Sequence, residues 1–259
     1  LRFHSSKTSS ASQWGTILGA NARLAFESGD TQSALLFATA AMNLSSHFAD
    51  IEVPSLIHLV VATGIRHHAE NVLVEHALPA LAGRHEELAS WRDALTRGEE
   101  PSSAYGRALI GEWNVMMRGM VLPALVGGPS PNGGRFRLEN IDGFTNAYAT
   151  LTREVASGLA NAGPGRLDLA MNGLSFSEAG LGPKEIDELQ GATSGHRNLF
   201  EALGVEVSRR ALKSAAIAMV LGEEPPVDPV SGLPFVWNPE TRTLAMPQAD
   251  SAVEPVKVP

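Results

Sequence analysis

One helical stretch of the chain carries side chains that could perform acid–base chemistry. It lies between Pro54 and Leu81 and contains two histidines and two glutamates of interest: His67, His68, Glu70 and Glu75. Imidazole and carboxylate groups exchange protons when folding brings them together, and a hydrolase would combine them here with Glu112 from another helix. Because their spacing matches no catalytic motif, they form only a candidate polar cluster, and we assign no catalytic residue.

Metal binding is the second chemistry that this stretch suggests. Half of the eight histidines of the chain lie on it: His58, His67, His68 and His76. Two ligands on one helix need to lie three or four residues apart, and no two of these histidines have that spacing. A metal site would need ligands from a second helix. Surface and helix-pairing roles explain the histidines more simply, so we assign no metal ligand.

A third possibility is an apolar cavity for a small molecule or a pigment. One predicted helix places a tryptophan and three methionines close together: Trp113, Met116, Met117 and Met120. Helical bundles build ligand sites from such residues, but a methionine stripe at helical spacing more often fills a core. We therefore expect no cofactor.

Bulk composition excludes several classes of function. The 259 residues include no cysteine, which rules out thiol nucleophiles, zinc–thiolate sites and iron–sulfur clusters. The net charge of −8 disfavours a nucleic-acid partner, because binding phosphates needs clustered Lys and Arg. No apolar stretch approaches the roughly 20 residues that a membrane-spanning helix needs.

The amino-terminal residues suggest a processed protein. The chain begins at Leu1 rather than Met, and residues 1–12 form a polar, Ser-rich leader. Such a spacer is typical of the segment after a signal peptide or a membrane anchor. We expect an extracytoplasmic protein whose membrane association comes from a missing anchor or from a partner.

Hydrophobic periodicity predicts an all-α fold, an irregular helical bundle. Helical subdomains are predicted over residues 13–126 and 136–222, separated by a Gly/Pro loop at 127–135. The first two helices, Gln13–Ser28 and Thr31–Ser46, form a tetratricopeptide-like hairpin, with Gly29 ending one helix and Asp30 capping the next. A single copy predicts one hairpin rather than a repeat array.

The last segment, residues 223–259, has a different composition. Half of the sixteen prolines of the chain lie in it, which predicts an extended tail. Two short apolar runs flank the turn residues 238–241 and predict a β-hairpin over 233–246. Its apolar side chains would dock on the helices or on a partner protein, so the candidate partner-binding residues are Phe235, Trp237, Leu244 and Met246.

The sequence DPVSGLPFVW, from Asp228 to Trp237, resembles a D-P-x-x-G-x-P-aromatic motif that closes many extracytoplasmic bacterial proteins. These include pseudopilin-like proteins and largely helical, membrane-anchored proteins of planctomycetes and related bacteria. The turn at Gly29-Asp30 and the long helix after Pro54 are more similar to the second group. The resemblance implies an envelope location and no particular activity.

We therefore expect a non-enzymatic scaffold or accessory subunit of a larger, membrane-associated protein assembly. The expected partners are proteins, and nucleic acid is not among them. The hydrolase and the small-molecule binder described above are the alternative functions.

Overall fold

The computed structural model describes residues 2–51, 54–96, 101–122, 138–162, 176–248 and 251–259. Its helices are α1 (Arg2–Glu27), α2 (Thr31–Ala49), α3 (Leu56–Val72), α4 (Leu78–Ala80), α5 (His85–Thr96), α6 (Pro101–Met116), α7 (Ile141–Ala162) and α8 (Pro183–Leu221). Two π-helical turns, Leu73–Ala77 and Met117–Val121, follow α3 and α6 directly. Three short strands complete the fold: β1 (Val236–Asn238), β2 (Thr243–Ala245) and β3 (Val256–Lys257). The predicted all-α fold with a terminal hairpin is confirmed.

The chain forms two compact units. Unit A comprises residues 52–56 and 100–204, and unit B comprises residues 2–51, 57–99 and 205–259, each considered over its described residues. The predicted subdomains, residues 13–126 and 136–222 with the second packed on the first, meet at the loop 127–135, which lies outside the described residues. Helices α6 and α7 flank that loop and pack together in unit A. Which helices belong to one unit depends on which of their faces pack together, and the order of the helices in the sequence does not show this.

The first hairpin of unit B forms as predicted. Asp30 caps α2, because its Oδ1 accepts the backbone N–H of Ser33 at 3.0 Å. Gly29 adopts a positive φ of 81°, which lets the chain turn between the helices. The predicted leader is wrong in one respect, since α1 is helical from Arg2 onward. Serine costs only a few tenths of a kcal/mol per residue in a helix, so a Ser-rich composition does not prevent one.

The predicted long helix after Pro54 is also present, but it starts at Leu56 and is interrupted by a π turn. The reason is local. Pro79 has no backbone N–H to donate to the carbonyl of Glu75, and its ring would clash there in a regular α-helix. The wider turn relieves the clash, and the N–H of Leu78 donates to the carbonyl of Leu73 instead. The same letters, Leu-Pro-Ala-Leu, follow the second π turn.

Unit A is organised around α6 and α7. Its core contains Phe144, Tyr148 and Leu189, and Trp113 of α6 stacks on Tyr148 of α7 with ring centroids 5.8 Å apart. The start of α8 is capped by its own Glu185, which accepts the backbone N–H groups of Gly182 and Asn140, each at 2.7 Å. Helix α8 then continues through Gly191 and Gly204 without a break.

The tail of unit B forms a small antiparallel sheet in the order β1-β2-β3. The predicted hairpin pairs Trp237 with Leu244, and a third strand, which the sequence analysis missed, pairs Val256 with Leu244 on the other side. Gly232 adopts a positive φ of 71°. The turn before β1 is held by Asp228, whose buried carboxylate accepts hydrogen bonds from the hydroxyls of Ser208 and Ser231, each at 2.6 Å.

Within the helices that the structure describes, no segment is both long and apolar enough to cross a membrane.

Two glycines of α6 provide a direct test of packing in unit A. A methyl group on Gly111 would overlap the carbonyl oxygen of Pro54, whereas one on Gly106 would meet no atom within 4 Å. We expect Gly111→Ala to lower the free energy of unfolding by about 1–3 kcal/mol, because backbone atoms must move. Gly106→Ala should raise it by up to about 1 kcal/mol, because alanine favours helix. Urea denaturation measures both; equal effects would contradict the close approach.

Candidate functional site

A fully buried carboxylate, that of Glu70, lies at the centre of the site in unit B. Its side chain is 0% exposed. Arg66, one turn earlier on α3, donates Nε–H to Oε1 at 2.8 Å, and Lys213 of α8 donates from Nζ to Oε2 at 3.0 Å. Arg210 Nε lies 3.7 Å from Oε1. A buried carboxylate is tolerated only when cations and hydrogen bonds compensate its lost hydration, and here both oxygens are compensated.

The cations decide the protonation state of Glu70. Burial alone would raise the pKa of this carboxyl, but Lys213, Arg210 and Arg66 together lower it below its ordinary value. Burial disfavours the charged form of Arg66 as well, and for a guanidinium this lowers the pKa. Glu70 is therefore an ionised structural anchor, and its lone pairs are engaged by cations rather than poised to take a proton.

A second carboxylate on α8 extends the network. Glu206 accepts from Arg209 Nη1 at 2.7 Å and from Arg210 Nε at 3.1 Å, and its side chain is only 6% exposed. Arg210 therefore lies beside both carboxylates. Each carboxylate is shared between at least two cations. Neither carboxylate therefore fully neutralises any one of the basic side chains.

The ammonium of Lys213 also determines how two neighbours are oriented. An ammonium can only donate, so Asn71 turns its Oδ1 towards Nζ, at 3.3 Å. The Nδ2 of Asn71 then faces Nε2 of His67 at 3.0 Å, and this contact is a hydrogen bond when Nε2 is the unprotonated acceptor. The neutral His67 ring accordingly carries its proton on Nδ1. This buried nitrogen has no hydrogen-bond partner among the described residues.

His67 is held in the neutral form that this orientation requires. Burial lowers the pKa of its imidazole, and the positive charges of Lys213 and Arg209 lower it further. A buried donor without an acceptor costs about 1–3 kcal/mol, so the Nδ1–H group is a position where an added acceptor would stabilise the protein.

These polar residues form one wall of a cavity of about 860 Å³ in unit B. Helix α3 and its π turn contribute His67, Asn71 and Val74, and α8 contributes Arg209, Leu212 and Lys213. The tail contributes residues 252–257 and Pro259, and the buried side chains of Val253 and Val256 anchor it. The volume falls within the range of pockets that bind small molecules.

The π turn itself shapes this wall. Its residues Val74 and Glu75, with Pro79 just beyond, all line the cavity. Turns of this kind occur mostly as single insertions in helices and are frequent at functional sites. Here the cause is Pro79, and the effect is that α3 presents a widened turn to the cavity.

The four residues of the predicted polar cluster do not converge. His67 and Glu75 line the cavity, and Glu70 lies behind it in the ion-pair network. His68 faces α1, where its Cβ lies near Gly19 and its Nε2 lies 3.5 Å from the Thr16 hydroxyl. Along this stretch Arg66 and Glu70 are buried, while Ile57 and Val60 are exposed. Helical spacing cannot reveal partners on α8.

The other two histidines of the stretch have aromatic neighbours. His58 lies beside Phe48, and His76 stacks on Phe26 with ring centroids 6.4 Å apart. Over the described ranges, no three His, Asp or Glu side chains come together as metal ligands would. Helix-pairing roles, which the sequence analysis preferred, describe these positions.

The remaining candidates from the sequence lie in unit A. Glu112 accepts the backbone N–H of Leu56 at 2.8 Å, and burial raises the pKa of its carboxyl. Trp113, Met116 and Met117 pack against the apolar core, and the side chain of Met120 lies outside the described residues. His196 of α8 has its Nδ1 3.0 Å from the buried Tyr105 hydroxyl.

Two of the four candidate partner-binding residues are not accessible to a partner. Leu244 and Met246 are buried in the core of unit B, and Phe235 packs partly against it. Trp237 remains 38% exposed. The hairpin therefore docks on its own helices, which was one of the two outcomes expected of a strand pair too small to be stable alone.

Sequence reasoning did not single out the three residues that join the hydrogen-bond and ion-pair network to the cavity wall: Asn71, Arg209 and Lys213. The signal for them was present but weak. Lys213 stands alone among the alanines and other small or apolar residues near the end of α8, where a buried cation needs a buried anion. Its partner lies 143 residues away, and a single sequence does not reveal that pairing.

Comparisons of the chain with protein-family models, with curated proteins and with solved structures found no match. The resemblance to helical envelope proteins, and the envelope location that it implies, therefore stay predictions.

The Glu70 network is tested by removing its central charge. We expect Glu70→Ala to lower the free energy of unfolding by about 3–5 kcal/mol, because it leaves Lys213 buried beside an uncompensated gap. Glu75→Ala, on the same helical stretch but 63% exposed, should change it by less than about 0.5 kcal/mol. The measurement is urea denaturation near pH 7.

A double variant separates the interaction energy between Glu70 and Lys213 from the effects of each substitution alone. For Glu70→Ala combined with Lys213→Met, we expect a smaller loss in the free energy of unfolding than the sum of the losses in the two single variants. The difference should exceed about 1 kcal/mol. Since the folded pKa of Glu70 is lowered, its contribution is present above its unfolded pKa and is lost as the pH falls through the folded value. Additive effects, or a Glu70→Gln variant with unchanged acid sensitivity, would contradict the ion-pair network.

Proposed function

We propose that this protein binds a small anionic molecule in the cavity of unit B. The observation that carries the proposal is the chain of fixed donors from Lys213 through Asn71 to His67 along the cavity wall. Such a wall suits an acceptor-rich ligand, because a carboxylate or a phosphate would meet donors rather than other lone pairs.

Charge supports this proposal. Within the described contacts, the Lys213 ammonium donates to Glu70 and Asn71, which leaves one of its three N–H donors. Arg209 uses one of its five N–H donors on Glu206 and lines the cavity as well. Both carboxylates are already shared with Arg210, so an incoming anion would add attraction to Lys213 and Arg209.

Geometry supports it too. The side chains on this wall are held by buried contacts, so a ligand would not have to order them on binding. The acidic lining residues, Glu75 and Glu254, are exposed, whereas Lys213 is buried. The negative charges therefore lie where water screens them, and the positive charge lies where it is screened least.

Benzoate and benzamide test the proposal, because the two molecules share their shape and differ in charge. We expect isothermal titration calorimetry to detect benzoate binding and to find benzamide at least about tenfold weaker, as loss of a charge-assisted hydrogen bond predicts. Arg209→Gln should weaken benzoate binding by a similar factor.

A matched control variant is Arg23→Gln. Like Arg209, Arg23 pairs with a glutamate on its own helix, but it lies on α1 and does not line the cavity. It should leave the dissociation constant of benzoate unchanged. Equal binding of benzoate and benzamide, or equal losses in the two arginine variants, would overturn the proposal.

A second candidate function is the accessory subunit expected from the sequence. It is favoured by an exposed apolar stripe on α1, where Trp14, Ile17 and Leu24 are 59%, 47% and 60% exposed. Their spacing places them on one face of the helix. Such a face would bind a protein partner, and we keep the extracytoplasmic, membrane-associated assembly as the setting for this candidate.

Size analysis after purification in mild detergent from the native cells tests the second candidate. We expect the wild-type chain to elute in a large assembly and the Trp14→Ser/Ile17→Ser variant to elute as a monomer, because the apolar face is lost. The control is Val227→Ser, which replaces an exposed apolar residue that does not lie on α1. A monomeric wild-type protein would rule out this candidate and leave the anion-binding proposal unaffected.

A further inference from the structure

The cavity of unit B is not uniform along its length. The wall begins on α3 with His67 and Asn71 and continues with Val74 and Glu75 of the π turn and with Pro79 of α4. From His67 to Pro79, twelve steps of about 1.5 Å make this wall roughly 18 Å long. Hydrogen-bonding side chains lie on its first part, whereas its second part combines the apolar Val74 and Pro79 with the exposed carboxylate of Glu75.

Helix α8 and the tail also contribute both charged and apolar side chains to the cavity. Helix α8 supplies Arg209 and Lys213, and the ammonium of Lys213 is located beside Asn71 by their hydrogen bond. The tail supplies Val253 and Val256, whose side chains are buried in the core that also contains residues of the π turn. It also supplies Glu254 and Lys257, which are exposed. Leu212 of α8 lines the cavity and belongs to that core.

We infer that the ligand is an organic acid with an elongated apolar body, such as a medium-chain carboxylic acid. This inference rests on the proposed anion-binding function and adds the class of ligand. The carboxylate lies against Lys213 and Arg209, and the apolar body extends along Val74 towards Val253 and Val256. An inorganic anion or a short acid would leave the lining side chains of Val74, Val253 and Val256 without a partner.

The size of the cavity agrees with such a ligand. Its volume of about 860 Å³ exceeds what a small ion needs and falls within the range for molecules that bury most of their surface. Each methylene that is fully buried contributes about fourfold in affinity, so even partial burial of a chain distinguishes a long acid from a short one.

Three probes separate the charged head from the apolar body: octanoate has both, acetate has only the head, and 1-octanol has only the chain. We expect calorimetry on the full chain to give octanoate at least a tenfold lower dissociation constant than either of the others. Equal binding of acetate and octanoate would overturn this inference and leave the anion-binding function intact. Equal binding of 1-octanol and octanoate would overturn both.

Two valine variants on the α3 stretch locate the apolar body. Val74→Gln, in the cavity wall, should weaken octanoate binding at least fivefold and leave acetate binding unchanged, which also shows that the cationic end is intact. Val60→Gln, at an exposed position outside the cavity, is the control and should change neither. Octanoate binding that survives Val74→Gln at full strength would overturn the inference.

Discussion

The burial of one charge, the carboxylate of Glu70, constrains much of unit B. An ionised carboxylate without water is very costly unless cations and hydrogen-bond donors surround it. Arg66 supplies one cation from the same helix, and Lys213 supplies another from α8. Helix α3 and helix α8 must therefore face each other in one register, because a shift of either helix by a turn would separate the partners.

That register determines the orientation of the groups around it. Lys213 can only donate, so Asn71 and then His67 follow in fixed hydrogen-bonding directions. The result is a wall of donors beside a cavity. Buried polar networks of this kind add little net stability compared with an apolar core, but they specify a unique arrangement when every member is satisfied. The unpaired Nδ1 of His67 is the exception, and it lies at the wall where the proposed ligand binds.

Backbone chemistry shapes the same region. Pro79 forces the π turn, and the turn places Val74 and Glu75 in the cavity wall. The tail closes the other side because Val253, Val256 and Val258 are buried in the core of unit B. A proline in one helix and three valines in a Pro-rich tail therefore contribute to one cavity, although neither segment has a functional motif of its own.

The sequence by itself determined the features whose causes lie within a few residues. These include the helical class, the cap at Asp30, the positive φ of Gly29 and Gly232, the turn at Asp228 and the hairpin around Asn238. Only the tertiary structure decided which charges are buried, which strand completes the sheet and where the cavity lies. The physical reason is that a pair such as Glu70 and Lys213 depends on helix packing across 143 residues, whereas caps and turns depend on local hydrogen bonds.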